Sequence, residues 1–358
     1  MDLIRTIAIV GVILLHAAND LTAQQMSSVE IYRWCTVDVY QSLGRTGVPL
    51  FIMLTGFLLL QPSKVNESLS VFFKKRVSRI ALPLVFWGIL YFAWDFFVDH
   101  QVLTPSFVVQ GVLTGPYFQF WYIYMLIGLY LLTPFLRILV ANANKNLFKY
   151  FVVLWLVGSA GLPLLGLVSA FKLDPNVLTI PGYVGYFVLG IYLVNSHVKR
   201  SILAGFMVLG VALTAIGTYI IAATIGGGTM YFFQEYLSPT MILTSVMLFM
   251  LLTNGNAPAN KIEMPQNLGD NKMAGQENKS ASLGSRILKL ISENTLPIFL
   301  FHMMVIVTLQ SGYLGITING NTINSIIGVP LMTALTLAIC LAVIVPLKKV
   351  PVLKKLIG

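Results

Sequence analysis

Apolar runs of about 18–22 residues, the length that crosses a bilayer, recur along this chain between short polar connections. The pattern predicts an all-α integral membrane protein of about ten transmembrane helices. They fall near residues 2–18, 44–61, 80–98, 118–140, 149–168, 180–196, 202–224, 238–254, 294–312 and 326–347. A water-soluble protein keeps polar residues on one face of each helix, and these runs do not. No repeat, heptad or separate soluble domain is visible, so residues 1–358 read as a single transmembrane domain. Residues 255–285 are rich in Asn, Gly, Ser, Pro and Lys and predict a flexible cytoplasmic loop between spans eight and nine, taken as 255–290.

Charge orients the helices. With the N-terminus in the cytoplasm, alternate connections hold Lys64, Lys74, Lys75, Arg76, Arg79, Arg137, Lys145, Lys149, Lys199, Arg200, Lys261, Lys272, Lys279, Arg286 and Lys289, whereas the opposite connections hold only Arg33, Arg45 and Lys172. Excess Lys and Arg marks the inner side, which places both termini in the cytoplasm and the protein in the cell membrane. Composition agrees, with 57% hydrophobic and 10% charged residues against roughly 45–50% and about 25% in soluble domains. The net charge of +10 therefore reports topology rather than nucleic-acid binding, and suggests lipid or small-molecule phosphates as partners. Cys35 and Cys340 are placed near opposite membrane faces, which argues against a disulfide or a cysteine-based metal site. The first run carries Asp2, Arg5 and His16 and no small-residue cleavage site, so it reads as a retained helix rather than a signal peptide.

Ionisable side chains inside an apolar span cost roughly 2.5–3.5 kcal/mol each, so they usually face the bundle interior and mark function. Arg5 and His16, eleven positions apart, differ on a helix by about 20° in azimuth and about 16 Å in depth. Both therefore point into one seam, Arg5 near the cytoplasm and His16 in the outer half. An imidazole there can deprotonate a hydroxyl or carry an acyl group; the plain alternative is a satisfied structural histidine. Asp20, one turn beyond His16, can orient its ring.

Arg76 and Arg79 in KKRVSRIALP share a helical face at the cytoplasmic side, where paired guanidinium groups suit either a coenzyme's phosphates or those of lipid. Arg45 falls at the outer end of span two, to bind an anionic acceptor or to snorkel to the interface. Small Thr55 and Gly56 allow close helix approach. Trp121, Tyr122 and Tyr124 read as an aromatic belt or as sugar-stacking rings. His302 lies near mid-membrane, facing a substrate cavity or a structural partner, and Glu235 touches an acceptor or is a solvated loop carboxylate. His100 and His197 read as interface loop residues. P-loop, dinucleotide-fingerprint, HExxH and GxSxG motifs are missing, so ATP-driven transport, nicotinamide redox and hydrolase chemistry lack support.

Taken in order, DLIRTIAIVGVILLH, GVPLFIMLTGFLLL, RVSRIALP, FWYIYMLIGLYLLTP and LPIFLFH resemble the acyltransferase-3 family over nearly the whole chain. The second segment looks most like the branch of bacterial surface-polysaccharide O-acetyl- and O-succinyltransferases. The resemblance implies a ten-helix membrane enzyme that takes an acyl group, usually acetyl from acetyl-CoA, to a hydroxyl of an extracytoplasmic or lipid-linked glycan. By match to the family motifs, Arg5 and His16 would be catalytic, and Arg76 with Arg79 would contribute to donor binding. The sequence departs from the commoner pattern at Thr55, where Ser often precedes the Gly, and it lacks the esterase-like domain appended to some members. Two rival readings are an exporter or flippase of glycan or lipid, with the same charges lining a pathway, and a ligand-binding sensor. Homo-oligomer formation stays open.

Overall fold

The computed structural model describes residues 1–18, 31–168, 175–194, 198–225, 227–254, 282–313, 315, 317–318 and 324–358. Among them every regular element is a helix: α1 (Asp2–Ala17), α2 (Ile31–Gly44), α3 (Gly47–Leu59), α4 (Leu69–Phe97), α5 (Pro105–Thr114), α6 (Trp121–Asn142), α7 (Lys145–Leu156), α8 (Leu162–Val168), α9 (Pro175–Leu193), α10 (Arg200–Thr224), α11 (Pro239–Thr253), α12 (Leu283–Glu293), α13 (Thr295–Gln310), α14 (Ser325–Leu347) and α15 (Pro351–Ile357). A helix stands at each of the ten expected positions. Length and composition alone qualify seven of them as membrane spans, or eight if α12 and α13, bent by 80° at their joint, form one. The 16 residues of α1 and the apolar stretch Gly182–Leu193 within α9 are shorter than a full crossing.

Several boundaries differ from those expected. Hydropathy marks only the apolar portion of a helix, whereas capping marks its start. Ser68 accepts a hydrogen bond from the Val71 amide, so α4 begins at Leu69 and the basic KKRVSR segment is helical. The expected 255–290 loop overlaps α12 over 283–290. Helix α2, whose sequence IYRWCTVDVYQSLG mixes polar and apolar positions, was not expected at all.

The bundle is apolar on its outside. Val85, Ile89 and Phe97 of α4, Leu131, Phe135 and Ile138 of α6, and Val208, Ile216 and Ile220 of α10 are exposed, the inverse of a soluble protein. Helices α3 and α13 instead bury most of their residues, and α1 buries half of its own. Contact without a hydrophobic driving force depends on close backbone approach, and glycine supplies it. A Cβ added at Gly47 would overlap the Ala8 carbonyl oxygen, and one at Gly44 would crowd the Gly11 oxygen and the Leu15 backbone. The chain turn from α2 into α3 thus seats α1. The contact of α3 with α9 is reciprocal: a Cβ at Gly56 would overlap the Phe187 carbonyl, and one at Gly190 would overlap the Met53 carbonyl.

Arg137 belongs to this architecture rather than to a loop, as its place at the end of an apolar run suggested. It is 2% exposed, donates from Nε to the Leu59 carbonyl at 2.8 Å and from Nη2 to Glu67 Oε2 at 3.0 Å, and lies 4.7 Å from the Phe72 ring centroid. Glu67 also accepts from Lys75 Nζ at 2.8 Å. The Lys75 bond, followed by that from Arg137, holds the Glu67 carboxyl below its ordinary 4.5 despite an opposing desolvation effect. A carboxylate with a depressed folded pKa stabilises above its unfolded value and loses that stabilisation as pH falls through the folded one. Glu67→Gln is therefore expected to lower stability at neutral pH by about 1.5–3 kcal/mol, the scale of a hydrogen bond to a charged group. Denaturation midpoints of variant and native protein should converge below the ordinary carboxylate range.

Candidate functional site

Helix α1 carries Arg5 and His16 to two depths against α13. At its start, Arg5 Nη1 lies 3.8 Å from Asp2 Oδ1, and Ser292 Oγ donates to that same carboxylate oxygen at 2.7 Å. Thr6 Oγ1 donates to the Leu288 carbonyl at 3.3 Å. These contacts fix the N-terminal turn of α1 at the α12–α13 joint.

Helix α4 brings Arg76 and Arg79 to the same place. Together with Arg5 they line a cavity of about 350 Å³, bounded also by Thr55, Tyr130, Ser292 and Glu293. That volume lies within the roughly 300–1,000 Å³ common for ligand sites. Among the described residues neither Arg76 nor Arg79 pairs with a carboxylate. Arg76 is half-buried; its guanidinium lies 5.4 Å from the Phe72 ring and 5.8 Å from that of Tyr130, and its Nε is buried without a hydrogen-bond acceptor. Two uncompensated cations at a concave surface suit a polyanion.

Aromatic rings close the deep end of this cavity. Tyr122 stands 5.0 Å from Phe299 and 6.2 Å from Phe51, and all three line it. Tyr122 therefore sits on the arginine side, apart from Trp121, with which it had been grouped. Adjacent helical residues point about 100° apart, so Tyr122 lines this cavity while the Trp121 ring, 6.3 Å from it, turns toward Tyr183 and Tyr236. Behind Phe299, at 5.8 Å, lies His302, and 5.3 Å beyond it the imidazole of His16, which also meets Phe118 at 5.1 Å.

His302 is 0% exposed. Its Nδ1 is 2.6 Å from the Phe299 carbonyl, an acceptor only, so Nδ1 carries the proton. The lone pair is then on Nε2, which is buried with no partner. Tyr91 braces this stretch of α13, donating to the Leu300 carbonyl at 2.9 Å while accepting from Gln119 Nε2 at 2.6 Å.

A second group gathers around Tyr236. Arg45 lies 5.7 Å from its ring centroid, Trp121 stands 5.6 Å from Tyr236 and 5.8 Å from Tyr183, and Glu235 is exposed beside them. Arg45 Nε is buried without an acceptor, and the guanidinium is close enough to act electrostatically on His16 and Asp38. Tyr124 donates to the Val112 carbonyl at 2.7 Å, fixing α6 to α5. Asp20 and His197 lie outside the described residues, and His100 occupies an exposed turn.

Sequence reasoning missed Asp38 and Gln234, both buried, with Gln234 Nε2 donating to Asp38 Oδ1 at 2.6 Å. The available signal was one acid inside an otherwise weakly polar stretch, in a segment not read as a helix.

Arg5, Arg76 and Arg79 are thus brought together, His16 and His302 are paired, and Arg45, Trp121 and Glu235 share a third locality. A family model described as an acyltransferase domain, Acyl_transf_3, matches residues 1–345. No curated protein and no solved structure matches the chain.

Proposed function

The chain belongs to the acyltransferase-3 family, and from that premise we propose that it is an O-acyltransferase of the cell membrane, moving acetyl from cytoplasmic acetyl-CoA to a hydroxyl of an extracytoplasmic or lipid-linked glycan. The observation that carries this reading is the convergence of Arg5, Arg76 and Arg79 on one cavity whose aromatic end abuts the His302–His16 pair.

In this reading the coenzyme's phosphates occupy the arginine end, and the thioester passes Tyr122 and Phe299 toward the imidazoles. The acceptor approaches from the side of Arg45, Trp121 and Glu235. His16 takes the proton of the acceptor hydroxyl as its oxygen attacks the thioester carbonyl. The tetrahedral intermediate collapses with loss of the coenzyme thiolate, which recovers that proton. A transient acyl-imidazole at His16 is the two-step version of the same transfer. The Nε2 lone pair of His302 orients or shares the His16 proton; its Nδ1–H is already committed to Phe299.

Purified protein given radiolabelled acetyl-CoA and extracted lipid-linked glycans should yield labelled glycan and free coenzyme in equal amounts; turnover of neither sinks the proposal. Arg76→Gln and Arg79→Gln should each raise KM for acetyl-CoA by about tenfold to a hundredfold, the worth of one charge-assisted hydrogen bond, with kcat little changed. Steady-state kinetics against donor concentration checks this split.

A further inference from the structure

Helix α12 presents three chemically different sides. At 100° per residue, Leu283, Ile287 and Leu290 fall within about 60° of one another, and all are exposed, at 75%, 47% and 38%. Ile291 and Ser292 lie on a second side and are buried, next to Leu288, whose carbonyl accepts from Thr6 of α1. Arg286, Lys289 and Glu293 form a third, exposed side, where Glu293 partly offsets Lys289 at 4.0 Å.

The level of α12 along the bundle is set by its neighbours. Helix α13 leaves it at an 80° bend, α1 begins beside it through Asp2 and Thr6, and Lys348 at the end of α14 donates to the Glu293 carbonyl at 3.3 Å. Lys349, Lys354 and Lys355 follow in the same terminal region and are exposed. Helices α1 and α13 therefore begin and α14 ends at this helix, and α13 leaves it nearly at a right angle.

We infer that α12 lies in the plane of the membrane interface, its Leu283–Ile287–Leu290 stripe in the acyl-chain boundary and its Arg286 and Lys289 on anionic lipid headgroups. An apolar stripe open to solvent beside a cationic edge is the composition of an interfacial helix, and the buried third side ties it to the bundle. Ser292 and Glu293 also line the arginine cavity, so the mouth of that cavity opens at headgroup level.

The test uses the full chain with Cys35→Ser and Cys340→Ala, a fluorophore at Ile287→Cys, and vesicles of phosphatidylcholine doped with brominated lipid. Brominated phosphatidylglycerol should half-quench the probe at about one fifth the mole fraction that brominated phosphatidylcholine requires, a ratio set by cations near an anionic surface. Arg286→Gln with Lys289→Gln should narrow that difference, Lys349, Lys354 and Lys355 remaining nearby, while leaving quenching by both lipids. A probe at Lys289→Cys should instead be quenched by aqueous iodide. Equal quenching of the Ile287 probe by the two lipids, or quenching by iodide alone, overturns the inference. Neither outcome depends on acyl transfer, so failure here is separate from failure of the enzymatic reading.

Discussion

Replacing His16 with alanine is expected to lower the rate of acyl transfer by about 10²–10⁴-fold, the usual contribution of a positioned general base. The loss should appear in kcat, because donor phosphates would be held at Arg5, Arg76 and Arg79, about 16 Å along α1 from the imidazole. The fold should survive. The seating of α1 rests on Ala8, Gly11 and Leu15 against Gly44 and Gly47, none of which the substitution touches. Size-exclusion behaviour and thermal unfolding in detergent should match the native protein while labelled glycan disappears. Rapid quench of the native protein with labelled acetyl-CoA separates base from carrier, since only a carrier leaves label on the protein before acceptor is added. Undiminished product from the His16→Ala protein would remove the imidazole from the chemistry.

The second large effect is structural. Gly56→Ala places a methyl group inside the space of the Phe187 carbonyl, a backbone group that no side-chain rotation relieves. Overpacking costs about 1–3 kcal/mol when side chains can move, and a backbone clash belongs at or above the top of that range. A clear fall in unfolding midpoint is expected, measured by intrinsic fluorescence during heating. Gly190→Ala should do the same through the Met53 carbonyl. The two contacts lie one helical turn apart on the same pair of helices, so the first substitution already opens the α3–α9 gap. The double variant should then lose less than the sum of the singles, a coupling a double-mutant cycle reads directly. An additive result would show that each notch yields locally.

Much of the layout of the candidate site was legible in the chain, for identifiable reasons. Arg5 and His16 are tied by helical arithmetic alone, and the three-residue spacing of Arg76 and Arg79 puts both on one cavity wall. Gly56 was readable as a close-packing position because small residues inside an apolar run have few other uses, whereas Thr55, read the same way, lines the cavity instead. What hydropathy could not separate were charges of different purpose at the ends of apolar runs. Arg137 resembles a loop cation in sequence, yet two acceptors from distant segments make its burial tolerable. The Asp38–Gln234 pair joins positions 196 apart in the chain, beyond any local pattern. The pairing of His302 with His16 is likewise tertiary: either residue alone was open to a structural reading, and only their 5.3 Å approach with an unused Nε2 favours a joint role.

The bend between α12 and α13 has one more consequence. Helix α13 contains 16 residues, or about 24 Å at 1.5 Å per residue, while the hydrocarbon core it stands in measures about 30 Å. The outer helices α4, α10 and α14, with 29, 25 and 23 residues, suffer no such mismatch. Helix α13 alone is therefore about 6 Å short of that core, and residues beyond its ends must supply the rest of the crossing.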